Sequence, residues 1–236
     1  MDSEIKNEKF NINTEEMIKA GVVLGHKTSK THPKMKQYIL GTKNNIHIID
    51  VQKSAKKLEE ALQFIEKIVS ENKVILFVGT KIHIKNLVKE IASDLNFPYI
   101  NERWLGGTFT NFETIKKRIN YFKEIKNKIN SEELLKYTKK EQAKIHKELK
   151  QLETKFGGME NLVNLPDAVF ICDMKRDILT AREARRKKIP IIAIVDTNIN
   201  PDLVDYPIPA NDDAITSVKY ILEKVKEVIA KVKNQG

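Results

Sequence analysis

Five short apolar runs, rich in β-branched residues, constrain this chain more than any other feature. They are "IHII" (46–49), "KVILFVG" (73–79), "PYI" (98–100), "AVFIC" (168–172) and "IPIIAIV" (189–195), bounded by Gly, Pro, Asp or Asn. Continuous apolar runs of this length read as parallel strands buried on both faces. Helical patterns lie between and after them. Residues 51–70 space Leu58, Leu62, Ile65 and Val69 three or four apart, and residues 80–95 do the same with Ile84, Leu87, Val88, Ile91 and Leu95. Residues 212–232 close the chain with Ile215, Val218, Ile221, Leu222, Val225 and Ile229. Strand and helix in alternation predict an α/β sheet with right-handed crossovers. "YILGTKNNIHII" (38–49) reads as two short strands around a Thr42–Asn45 turn.

The rhythm breaks once. Between Asn111 and Phe156 no run resembles a strand. Phe112, Ile115, Ile119, Phe122, Ile125 and Ile129 repeat every three or four residues, and Ile145, Leu149, Leu152 and Phe156 repeat likewise. Both series have the seam of a coiled coil or helical hairpin. Thr110 with Glu113, and Thr138 with Glu141, have capping-box spacing. A helix over 112–129 would be roughly 27 Å long. "FGGMEN" (156–161) ends the excursion. The expected organisation is a discontinuous α/β domain, 1–108 and 160–236, interrupted by an inserted two-helix arm, 109–159. With 236 residues, such a chain can bury a substantial core.

Charge points to the partner. The formal net charge is +10 and the pI about 9.4, which suits nucleic acid or an acidic membrane surface. Only six of the 42 basic residues are arginine, a skew that an AT-rich genome would also produce. Segment 111–156 holds thirteen Lys or Arg against seven Glu, a surplus of six. Its Lys116, Lys117 and Arg118 are candidate phosphate contacts. The loop 25–38, "GHKTSKTHPKMKQY", carries Lys27, Lys30, Lys34 and Lys36 with His26 and His32 and no acid. A third cluster, "MKRDILTAREARRKK" (174–188), offers Arg182, Arg185 and Arg186. Each alone reads equally as a solvated face. Together they point to neutralising the backbone of a folded nucleic acid, since lysine supplies point charges rather than base readout.

Other classes fit less well. No apolar run approaches the roughly 18 residues that span a bilayer. The single cysteine, Cys172, lies in an apolar run and cannot form an internal disulfide, which suits a reducing compartment. The N-terminus lacks an apolar signal region, so an intracellular, cytoplasmic protein is expected. The chain has no G-x-G-x-x-G, no phosphate loop ending in Gly-Lys-Ser/Thr and no G-x-S-x-G elbow. Gly79 in "FVGTK" marks a strand-to-helix turn, where a helix N-terminus would hold an anion. Asp50 follows "IHII" as either a ribose-binding acid or a helix cap. His26, Asp196 and Asp213 would suit a small oxygen–nitrogen metal site if His26 reaches the edge where the acids lie. Capping by Asn211 or Asp212 and turn formation by Asp196 are the structural alternative. No nucleophile–base pair is visible, and neither catalysis, a required cofactor nor a small-molecule substrate is expected.

"NERWLGGTFTN" (101–111) concentrates the only tryptophan, an arginine and two of nine glycines. It leaves the strand "PYI" for the arm. Gly106 and Gly107 would permit positive φ and close chain approach. Trp104 is read as packing the arm against the sheet, with stacking on an unpaired base as the alternative. Arg103, Thr108 and Asn111 are read as RNA contacts, with capping as their alternative.

The motifs "MIKAGVVLGHKTSKTHPKMKQYILGTKNNIHIIDVQKS" (17–54), "ILFVGTK" (75–81), "YINERWLGGTFTNFETI" (99–115), "LPDAVFICD" (165–173) and "IPIIAIVDTNINPDLVDYPIPANDDAITSV" (189–218) closely resemble bacterial small-subunit ribosomal protein two. The likeness runs from about residue 12 to 230. It implies a flavodoxin-like or Rossmann-like parallel sheet carrying an inserted coiled-coil hairpin. It also implies a structural role: binding small-subunit ribosomal RNA near the head–body junction, and helping to hold the large ribosomal protein one. Many relatives have an arginine and a tryptophan in the N-terminal loop, where this chain has Lys27, Ser29, Lys30 and His32. Phosphate contact survives that change, but bidentate or stacking contact there does not follow.

Overall fold

The computed structural model describes residues 9–129, 131 and 137–235. The chain begins with a short helix, α1 (Thr14–Lys19), capped by the Asn13 side chain. Three short strands follow, β1 (Leu24–Lys27), β2 (Ile39–Lys43) and β3 (Ile46–Ile49). They form a separate antiparallel sheet in the order β1-β3-β2. Asn44 and Asn45 join β2 to β3 with φ of 52° and 60°, the two left-handed residues that a tight hairpin needs. Asp50 then caps α2 (Val51–Ser70) by accepting from the N–H groups of Gln52 and Lys53, so it serves the helix.

The main sheet is parallel and five-stranded. Its strands are β4 (Ile75–Val78), β5 (Tyr99–Ile100), β6 (Ala168–Ile171), β7 (Ile191–Val195) and β8 (Tyr206–Pro209), in the order β5-β4-β6-β7-β8. Counting strands within this sheet alone, that is 2-1-3-4-5, the flavodoxin-like order whose switch point lies between the first and third strands. Period-two alternation sends neighbouring side chains to opposite faces. Ile75, Phe77, Ala168, Phe170, Ile192 and Ile194 enter one core with α2, α3 (Lys85–Asp94) and α7 (Ile215–Gln235). Leu76, Val78, Val169, Ile171, Ala193 and Val195 enter the other, with α4 (Phe112–Ile129) and α6 (Ile178–Arg186). Burial on both faces is why these strands read as unbroken apolar runs.

Helices α4 and α5 (Lys139–Phe156) fill the long β5-to-β6 connection. Phe112, Ile115, Ile119 and Phe122 belong to the same core as β4, β6 and β7. The first part of α4 is therefore a layer of the sheet domain. On α5 only Phe156 is fully buried, while Ile145, Leu149 and Leu152 are half-buried. Tyr121 of α4 donates to Glu148 of α5 at 2.9 Å. The connection between the helices lies mostly outside the described residues.

Several expectations need correction. "IHII" is a strand, but antiparallel and in the small sheet. Its residues 46–48 are only half-buried, and Ile49 alone is fully buried. The second helix begins at Lys85 rather than near residue 80. Strand β8 runs against the sequence pattern, in which Pro207 and Pro209 argue against a strand. They are tolerated because β8 is an edge that pairs only with β7. The Thr138–Glu141 capping box forms, but Thr110 gives its N–H and hydroxyl to Glu183 instead of Glu113.

Candidate nucleic-acid interface

The loop between β5 and α4 is built around one buried carboxylate. Glu183, on α6, is 4% exposed. Its Oε1 accepts from Trp104 Nε1 at 3.2 Å and from the Gly107 N–H at 2.8 Å. Its Oε2 accepts from the N–H groups of Phe109 and Thr110 at 3.0 and 3.1 Å, and from the Thr110 hydroxyl at 3.2 Å. Burial alone would raise this carboxyl; the donors of Gly107, Phe109, Thr110 and Trp104 outweigh it and hold the group below 4.5. Gly107 adopts φ of 92°, which places its N–H in this ring of donors without a side-chain clash. Trp104 packs edge-on against Phe109 with ring centroids 4.8 Å apart and is 7% exposed. It is a junction residue, as expected, and not an exposed stacking platform.

The proposed RNA contacts separate by exposure. Arg103, Asn111, Lys117 and Arg118 are exposed, and Lys116 is half-buried. Thr108 is wholly buried and gives its hydroxyl to the Leu105 carbonyl at 2.6 Å. It closes the turn and lies out of reach of an external partner. On α6, Arg182, Arg185 and Arg186 are exposed while Glu183 points inward. Arg185 also reaches the Asp202 carbonyl at 3.2 Å.

The basic loop is anchored from the sheet. Thr197, just after β7, accepts the His26 N–H on its hydroxyl at 2.9 Å and the His32 N–H on its carbonyl at 2.8 Å. A Cβ on Gly25 would stand 2.6 Å from the Thr197 methyl, so this close approach admits only glycine. Met35 is fully buried beneath the loop. Lys27, Lys30, Lys34 and Lys36 are exposed above it and His32 is half-buried, with Lys34 paired to Asp202.

The switch-point crevice is a cavity of about 320 Å³ lined by charged side chains of the protein, Lys81, Asp173, Asp212 and Asp213 among them. Lys81 Nζ stands 2.9 Å from Asp173, 3.2 Å from Asp212 and 2.7 Å from Asp213. Burial pulls its pKa down, but the bonds to Asp213 and Asp173 overcome that and leave it raised. Burial, reinforced by Asp173 and Asp196, pushes Asp212 up to about 7. Asp177 is pushed up to about 6 by burial, against hydrogen bonds from Thr80. Since α3 begins only at Lys85, the turn at Gly79 presents no helix N-terminus to an anion. Two supports of the nucleotide-binding alternative, a helix N-terminus at Gly79 and a free Asp50, are therefore missing.

His26 does reach this edge. Its Nδ1 lies 3.0 Å from Asp196 and its Nε2 lies 3.4 Å from Asp213. The bond to Asp196 keeps the imidazole above 6.5 despite burial. The compact set of potential ligand atoms, within 4.8 Å of one another, is His26, Asp196 and Asp212. It differs from the expected set by one aspartate. The Asn198 amide Nδ2 donates to His26 Nε2 at 2.9 Å, and its buried Oδ1 has no partner among the described residues. Asn211 accepts from the N–H groups of Asp213 and Ala214, the expected turn role.

Sequence reasoning did not single out Glu183. The available signal was an acid in an otherwise basic run, flanked by Ala181 and Ala184 on the inner face.

Comparison with known proteins gives concordant results. A family model described as Ribosomal protein S2 matches residues 17–232. The chain is 44% identical over 227 residues to the small ribosomal subunit protein uS2 of Fusobacterium nucleatum, an alignment covering 95% of this chain and 91% of that protein.

Proposed function

Because the chain belongs to the ribosomal protein S2 family, we propose that it is a structural component of the small ribosomal subunit that binds ribosomal RNA through its cationic edge. The family is one of structural ribosomal proteins and not of enzymes. The observation carrying the RNA reading is the convergence of the loop 25–38 and the β7–β8 connection through Thr197, and of α6 and the β5–α4 loop through Glu183. Each joins exposed cations to the sheet domain. The contact set we propose is Lys27, Lys30, His32, Lys34, Lys36, Arg103, Asn111, Lys116, Lys117, Arg118, Arg182, Arg185 and Arg186.

We read 109–159 as an insertion whose first helix packs on the sheet and whose outer part pairs with α5 as a coiled-coil arm, supported by the half-buried seam of α5 and the Tyr121–Glu148 bond. Neighbouring small-subunit proteins, ribosomal protein one among them, are the proposed protein partners, and the ribosome-bound cytoplasm is the proposed location. Among the described residues no helix is long and apolar enough to cross a membrane. A structural divalent ion on His26, Asp196 and Asp212 is a second proposal, supported by their spacing and the unpartnered Asn198 oxygen. Elemental analysis of the purified protein tests it.

The RNA reading is tested by filter binding to small-subunit ribosomal RNA across a salt series. Replacing Lys116, Lys117 and Arg118 with Glu should lower affinity and flatten the log–log salt slope by about 2 to 3, because each phosphate contact contributes roughly 0.7 to 0.9. An unchanged slope would remove the arm from the interface.

A further inference from the structure

We propose that Glu183 is the positioning residue of the RNA contact, clamping residues 104–110 onto α6 so that cations from both elements face one nucleic-acid surface. This rests on the RNA-binding reading above. The clamped span is bracketed by two exposed contact residues, Arg103 before Trp104 and Asn111 after Thr110. The clamp itself grows from a helix whose outer side carries Arg182, Arg185 and Arg186.

The chemistry requires a charged carboxylate. A carboxylate offers about four lone-pair sites, and five donors converge on this one. Glutamine has the same shape, but its amide nitrogen would turn two protons toward N–H donors. Aspartate keeps the acceptors and is one methylene shorter. Without the clamp, residues 104–110 keep the Thr108–Leu105 turn and the Trp104–Phe109 packing, with no helix or strand bonds to fix the rest. Their ordering would then be paid for on binding RNA rather than on folding.

The test uses the full chain, with E183Q, E183D, R103Q and the double variant E183Q/R103Q, at a temperature where circular dichroism shows the variants folded. Trp104 is the only tryptophan, so a single indole N–H resonance reports the clamp directly. In E183Q that resonance should shift, and affinity for small-subunit ribosomal RNA should fall about tenfold. The salt slope should flatten by about 1 as Arg103 loses its place. E183D should recover part of both, and it keeps the test decisive if E183Q does not fold. R103Q should weaken binding in the wild-type background and change little in E183Q, because the two losses are one event.

E183Q binding within twofold of wild type despite a shifted indole signal would overturn the proposal. Simple addition of the E183Q and R103Q losses would do the same. Wild-type protein that shows no salt-dependent RNA binding would instead sink the RNA reading itself, and this proposal with it. The triple arm variant separates the cases, since it leaves the indole signal in place.

Discussion

Lys81 is the most informative residue to remove, because the account makes it the internal counter-ion of the switch-point crevice. It touches three carboxylates, of which Asp173 and Asp212 have side chains only 5% and 3% exposed, while Asp213 is 60% exposed. Asp213 can rehydrate and contributes little. At about pH 8, above the value of about 7 to which Asp212 is pushed, Lys81→Met would leave two buried carboxylates without their shared cation. Breaking such a pair from one side typically costs about 3 to 5 kcal/mol. For a chain of this size each kcal/mol lowers Tm by about 2 to 4 °C, so a fall of roughly 6 to 20 °C is expected. Adding Asp212→Asn removes one of the stranded charges and should restore about half of the loss. Urea and thermal unfolding followed by circular dichroism measure both variants, with matched m-values confirming comparable unfolding. A Lys81→Met variant within 1 kcal/mol of wild type would refute the reasoning, as would further destabilisation on adding Asp212→Asn.

Two further outcomes follow from packing and titration. Phe122 is 1% exposed and lies in the core shared by α4 and the sheet, so Phe122→Ala should cost about 3 to 5 kcal/mol in urea unfolding; under 1 kcal/mol would mean α4 is peripheral. Asp177 has its folded pKa raised from 3.8 to about 6. Its contribution is therefore fully present below about pH 4 and lost as pH rises through 6, on the order of 3 kcal/mol in all. Tm profiles of Asp177→Asn and wild type should diverge across that window, and parallel profiles would contradict the assignment.

The parallel sheet was legible because burial on both faces writes continuous apolar runs. The same signal misled at "IHII", where a short apolar run lies half-buried in a small antiparallel sheet; a run of four carries no record of which partner it pairs with. Strand β8 was hidden by Pro207 and Pro209, whose missing N–H groups matter only if the strand is central. The capping box at Thr138 was legible because its partners are three residues apart. At Thr110 the same local pattern lost to Glu183, a partner 73 positions away. The cationic clusters were legible as composition, yet their exposure was not, and Thr108 shows the difference. What the sequence could not display is convergence. One carboxylate on α6 gathers Trp104, Gly107, Phe109 and Thr110, and that explains why these residue types meet in one short stretch.

The most direct test of the central claim is sucrose-gradient sedimentation of the tagged protein in bacterial lysate at low and at high salt. Stoichiometric co-migration with the small ribosomal subunit is expected at low salt, weakened at high salt. Protein that stays at the top of the gradient under both conditions would contradict the claim.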